Sequence, residues 1–229
     1  MLLRSLRLTL ALAAGLFAAT AASALSFETT GTVPGLASAR TLRYTLDRPG
    51  ALPDVTNTVY VVAFQATLDG VDGRSFCVDV LHSLSVPGSY QAVVEAIGPA
   101  YLEAAQIANR WSHDLGSLAG SLGISLADAA AGVQEAIWKS VYDEPAGLGV
   151  IAFHRALTAG EQAAFQMASN PLYWNGVGST QLLRLTDSLG RTRQAQLFTP
   201  AVPEPSALLV FGIGSLLVGR SLRTRPARR

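Results

Sequence analysis

One cysteine, Cys77, stands in the run Phe76-Cys77-Val78-Asp79-Val80. A sole thiol makes no disulfide within the chain and no four-cysteine zinc site. As a hydrolytic nucleophile it would need a histidine partner, and the candidates are His82, His113 and His154. His82 lies five residues further along the same predicted strand region, where side-chain alternation turns it from the sulfur. His113 follows a predicted helix end beside Asp114 and is the one within reach. No local protease signature accompanies any of them. The three scattered histidines and one cysteine also lack metal-ligand spacing. Asp143-Glu144, just before Pro145, reads as a solvated turn at a helix end rather than an acid–base pair. Gly212-Ile213-Gly214 has no preceding strand and is not a nucleotide loop.

Gln134 is the second residue in an unusual seat. Ser125-Leu126-Ala127-Asp128 has the spacing of a capping box and predicts a helix running to about Tyr142. On it Gln134, Ile137, Trp138 and Val141 fall at i, i+3, i+4 and i+7, one face, which Ala127, Ala130 and Ala131 extend backwards. Glu135 and Lys139 lie off that face. An amide in the middle of an apolar stripe must bond to something, because burying it unpaired costs about 1–3 kcal/mol. On the strand, Phe76, Val78 and Val80 share one face; Ser75, Cys77 and Asp79 share the other, more polar one, which a helix could cover. By residue type alone, Cys77 reads as a small buried hydrophobe. Gln134 reads as a side chain bonded to backbone where a helix meets a sheet.

The elements that must position these residues are strands, then helices, then strands. Leu42 to Leu46, Thr58 to Leu68 and Ser75 to Leu81 are rich in β-branched and aromatic residues, and Ser89 to Val94 is a further strand. Asp47-Arg48-Pro49-Gly50 and Asp69-Gly70 to Asp72-Gly73 are turns. Pro99 opens a helix over about Ala100 to Trp111. Ser112 to Gly123 reads as a Gly/Ser-rich link. Thr158-Ala159-Gly160-Glu161 repeats the capping signature before a third helix that stops at Asn170-Pro171. Gln181 to Thr186 and Arg193 to Phe198 return to strand. That order predicts an α+β fold, a β-sheet or barrel with an inserted helical subdomain. It is flanked by an N-terminal signal peptide and a C-terminal apolar helix.

Hydrophobic residues make up 49% of the 229-residue chain and charged residues 14%, which excludes a disordered chain. Seven of the 17 basic residues sit at the two ends; between Ser26 and Pro200 there are 10 basic and 15 acidic side chains. That body has no basic surplus to build a nucleic-acid face. Arg4 and Arg7, the apolar run Leu8 to Ala19 and Ala22-Ser23-Ala24 have the order of a secretory signal peptide, residues 1–24. The body then covers 25–200. The segment 201–229 holds Val202-Pro203-Glu204-Pro205-Ser206, the uncharged run Ala207 to Gly219, and the basic end Arg220 to Arg229. An apolar run followed by arginines is a stop-transfer pattern, here shorter than the roughly 20 residues of a full span.

This tail resembles the PEP-CTERM sorting signal of bacteria that have an exosortase, with Pro203, Glu204 and Pro205 at the Pro-Glu-Pro motif. The resemblance implies membrane association through the C-terminal segment, then processing by an exosortase-type sorting enzyme. Cell surface or extracellular matrix is the implied destination.

The body resembles the thioester domains of bacterial surface adhesins. Phe76-Cys77-Val78-Asp79 fits their strand motif, Val133-Gln134-Glu135-Ala136-Ile137 followed by Trp138 fits their helix motif, and Tyr101-Leu102 to Ile107-Ala108-Asn109 is similar to the helix between them. The resemblance implies an internal thioester between Cys77 and Gln134. There the sulfur displaces ammonia from the glutamine amide, and the bond then awaits an unknown surface nucleophile, an amine or hydroxyl. It implies an adhesion protein that is not an enzyme and carries no cofactor and no metal. The alternative with the same address signals is a non-covalent structural component of an exopolysaccharide or biofilm matrix.

Overall fold

The computed structural model describes residues 24–143 and 148–201. The predicted leader up to Ser23, Glu144, and the tail from Val202, including Pro203, Glu204 and Pro205, lie outside the described residues.

Among the described residues nine strands and four α-helices follow one another: β1 (Leu25–Val33), β2 (Arg40–Asp47), β3 (Val55–Val61), β4 (Ala63–Leu68), β5 (Val71–Cys77), β6 (Gly88–Glu95), α1 (Pro99–Trp111), α2 (Leu115–Leu122), α3 (Leu126–Tyr142), β7 (Val150–Phe153), α4 (Ala159–Ala168), β8 (Gln181–Thr186) and β9 (Gln196–Pro200). Six strands close an antiparallel barrel in the order β1-β4-β5-β9-β8-β6, and β3-β2-β7 form a separate three-stranded sheet. The fold is α+β, a barrel with an inserted helical layer.

Alternation explains the strands. In β2, Leu42, Tyr44 and Leu46 are fully buried while Arg43 and Asp47 between and beside them are exposed. The barrel is filled by Phe27, Leu68, Tyr90, Leu183, Leu185 and Phe198. A larger core lies between the barrel, the small sheet and the helices.

At the centre of that core is α3, packed against α1, α2 and α4 and touching β5. Ser125 caps its first turn by accepting from the Asp128 amide at 3.1 Å. Only Leu126, Asp128 and Lys139 of this helix are not buried. The single apolar stripe expected of it is therefore too narrow: α3 is covered on every side, as a helix at the middle of a core must be. Glu135, off the predicted stripe, is as fully buried as Gln134. Gly132 permits the closest crossing. A Cβ there would stand 2.6 Å from the Ala164 Cβ and from the Glu161 carbonyl oxygen, so α3 and α4 meet nearly backbone to backbone.

Several predicted boundaries move. The supposed link 112–123 contains α2, whose Leu115, Leu118 and Ala119 are buried; tertiary packing outweighs its glycines and serines. The run Thr58 to Leu68 divides at Val62, where the chain passes from the small sheet into the barrel. β5 ends at Cys77 rather than Leu81. β9 begins at Gln196, and β1 and β7 were not anticipated. Among the described residues no single helix is long and apolar enough to cross a membrane; α2 and α3 together pass by length and composition but meet at 112°.

Candidate functional site

Cys77 is the last residue of β5, directly opposite Gln196 of β9 in the antiparallel ladder. Beyond it the chain leaves the sheet, for reasons visible in its bonds. The Leu81 amide donates to Asp79 Oδ1 at 2.7 Å, a local turn that no strand would allow. The Val80 amide donates to the Tyr142 hydroxyl at 3.2 Å, and the Tyr44 hydroxyl donates to the Val80 carbonyl. Gln194 Nε2 holds the Asp79 carbonyl at 2.7 Å.

The middle of α3 lies against this strand end. Gln134 Oε1 accepts from the Cys77 backbone amide at 3.0 Å, and Gln134 Nε2 donates to the Cys77 carbonyl at 2.8 Å. The amide thus pairs with one residue's backbone as a neighbouring strand would. All of it is buried. The sulfur has its own partner: Gln196 Nε2 donates to Sγ at 3.2 Å, and Ser75 Oγ donates to Gln196 Oε1 at 3.1 Å. Burial pushes the Cys77 thiol up to about 12, against the lowering effect of the Gln196 bond. The sulfur is therefore a neutral thiol at ordinary pH.

Gln196 was missed by the sequence reading, although the strand containing it was expected. The alternation Gln194-Ala195-Gln196 puts two glutamines on one strand face. Nothing in their spacing ties them to a cysteine 119 residues away.

Cys77 is not sealed from outside. It lines a cavity of about 340 Å³ together with Phe64, Val62, Tyr60, His82 and Gln194. Here the expectation for the histidines is corrected. His82 lines this cavity together with Cys77 because the strand stops at Cys77 and the turn at Asp79 brings the following residues round. Its Nδ1 pairs with Asp79 Oδ2 at 2.5 Å. His113, the candidate favoured from sequence, instead bonds the Thr199 and Pro200 carbonyls at 3.2 and 3.0 Å. His154 pairs with Thr45 at 2.6 Å. Among the described residues no cluster of three or more His, Cys, Asp or Glu could hold a metal ion.

Glu135, next to Gln134, has no hydrogen-bond partner for either carboxylate oxygen. Burial, and then repulsion from Glu161, push its carboxyl up to about 8, with Arg155 pulling the other way. Glu161 is fully buried too, but Arg155 grips both its oxygens at 2.6 Å, and its Oε2 accepts from the Thr158 amide at 2.7 Å. That last bond completes the capping box predicted for α4.

Neither a protein-family model nor a curated protein sequence matches this chain. Among solved structures it is similar to the N-terminal domain of the Streptococcus pyogenes pilus tip adhesin Cpa, at 15% identity and a TM-score of 0.40, over 70% of this chain and 94% of that one. It is also similar to the N-terminal thioester domain of a surface protein from Clostridium perfringens, at 11% identity and a TM-score of 0.40, over 70% of this chain and all of the other.

Proposed function

We propose that this is an exported adhesion protein of the cell surface or matrix whose body attaches covalently to its target through an internal Cys77–Gln134 thioester. The observation that carries this reading is the buried pairing of the Gln134 amide with Cys77. To form the bond, Sγ attacks Gln134 Cδ, the C–N bond breaks, and ammonia leaves with the thiol proton. A buried neutral thiol is a weak nucleophile, so the rate must come from proximity. The Cys77 amide nitrogen, 3.0 Å from Gln134 Oε1, already donates to the oxygen on which negative charge would develop during attack. The thioester is then opened by an amine or hydroxyl on the target, which becomes bonded to Gln134. The chain reacts once and does not turn over, so it is not an enzyme. In the same proposal the leader exports the chain, the tail holds it at the membrane, and an exosortase-type enzyme recognises Pro203-Glu204-Pro205.

A second reading draws on the same two hydrogen bonds. A glutamine that pairs with both backbone groups of a strand end is also a purely structural clamp, suited to a non-covalent matrix component. Intact mass separates the two. The thioester form weighs one ammonia less than the formula of the exported chain, and the deficit vanishes in both Cys77→Ala and Gln134→Ala. Full formula mass in the wild-type chain, with Cys77 alkylated without prior amine treatment, overturns the covalent reading and leaves the clamp.

A further inference from the structure

The cavity that reaches Cys77 contains a histidine already oriented by a carboxylate. We propose that His82, held by Asp79, is the general base that delivers a hydroxyl acceptor to the thioester. This rests on the covalent reading above and names the acceptor class and the group that activates it.

The geometry assigns the roles. Asp79 Oδ2 takes the Nδ1 hydrogen of His82, which leaves the Nε2 lone pair free. Asp79 is itself fixed, since its other oxygen accepts from the Leu81 amide. His82 is 42% exposed in its side chain and lines the same cavity as Cys77, so it stands between solvent and the cysteine's end of β5. The lining contains no lysine, arginine, aspartate or glutamate. An amine from a lysine would arrive as a hydrated ammonium and would meet no carboxylate in the lining to receive it. A hydroxyl arrives neutral, and the lining offers Asn57, Thr58, Ser83 and Gln194 as hydrogen-bonding partners. A hydroxyl is also the acceptor that most needs its proton removed as it attacks.

The step balances. His82 Nε2 takes the hydroxyl proton as the oxygen bonds to Gln134 Cδ. The C–S bond breaks, and the departing Cys77 sulfur receives that proton back from the imidazolium while Gln196 Nε2 donates a hydrogen bond to it. The products are an ester on Gln134 and a free thiol.

The test follows loss of the ammonia deficit in the exported chain with two probes, glycerol as hydroxyl and methylamine as amine. His82→Ala is expected to keep the deficit, and its reaction with glycerol should be slower by about a hundredfold or more, the usual worth of a general base. Its reaction with methylamine should slow by much less. Added imidazole should restore the glycerol reaction. Asp79→Asn, which keeps an acceptor for the Leu81 amide, should show a smaller loss of the same kind. A His82→Ala chain that carries the deficit and reacts with glycerol at the wild-type rate overturns the role of His82 while leaving the thioester standing. A His82→Ala chain without the deficit also overturns it, since His82 would then act in forming the bond. A wild-type chain of full mass overturns both readings together.

Discussion

Gln134 and Glu135 are neighbours on α3 and neither has exposed surface, yet the helix turns them into different surroundings. Gln134 meets a strand end and finds a donor and an acceptor at hydrogen-bond distance. Glu135 finds no partner for its oxygens and is repelled by Glu161, with only the field of Arg155 in its favour. The first side of the helix is locked by matched polar groups. The second is held by an ion pair that serves one carboxylate and merely restrains the other. Burial by itself therefore says little about a polar group's contribution; the partner decides the sign.

Three substitutions press on that contrast. The largest effect is expected at Gln134→Leu, which removes both partners of the Cys77 backbone. Relative to the chain in which Cys77 and Gln134 are not yet joined, two buried backbone groups at about 1–3 kcal/mol each put the loss near 4 kcal/mol. The urea midpoint should fall with little change in slope; an unmoved midpoint would mean that water from the adjoining cavity replaces the amide. On the other side, Arg155→Met takes from Glu161 its close guanidinium, leaving only Arg40 Nε at 3.9 Å, and takes from Glu135 the cation that restrains it. Breaking a buried pair from one side typically costs 3–5 kcal/mol, and because Arg155 is one-third exposed we expect about 3 kcal/mol. Calorimetric melting at neutral pH checks this, and a loss below that of an ordinary surface residue would show that the second side is already relaxed.

The third effect is a gain. The Glu135 carboxyl ordinarily titrates near 4.5 but in the folded chain keeps its proton to about 8. Between those values the unfolded chain has released a proton that the folded chain retains, so this group's contribution falls as pH rises from about 4.5 to about 8. Glu135→Gln should remove that slope. No stabilisation is expected near pH 4, and the gain should grow as pH rises to about 8. Parallel stability curves for the two proteins across this range would contradict the buried, unpaired state of Glu135.

Local signals made much of the helical layer legible. Ser125 and Thr158 both cap as their spacing predicted, because a cap depends on residues within one turn. Leu42 to Leu46 was legible because alternation is local too. α2 was not: half of its residues are glycine or serine, and Leu115, Leu118 and Ala119 meeting the core decide its state. At the site, the covered helix face of Gln134 could be read from its periodicity. Gln196 and the true place of His82 could not. The first depends on β5 pairing with β9 across most of the chain, and the second on where β5 stops. A strand carried on to Leu81 turns His82 away from the sulfur, whereas ending it four residues earlier brings His82 into the same cavity. The error in one boundary became an error about chemistry.

Gln134 lies 57 positions beyond Cys77, and the stretch between them carries β6, α1, α2 and the first half of α3. Any covalent bond joining the two therefore closes a large ring around half of the helical layer. By loop-closure entropy such a ring restricts the unfolded chain as a disulfide would, by about 4 kcal/mol. A chain with a single cysteine would then have a staple that needs no second thiol and no oxidising compartment. Spending the bond on a target would open the ring, so the attached domain would be the looser of its two states, tethered by the event that unfastened it.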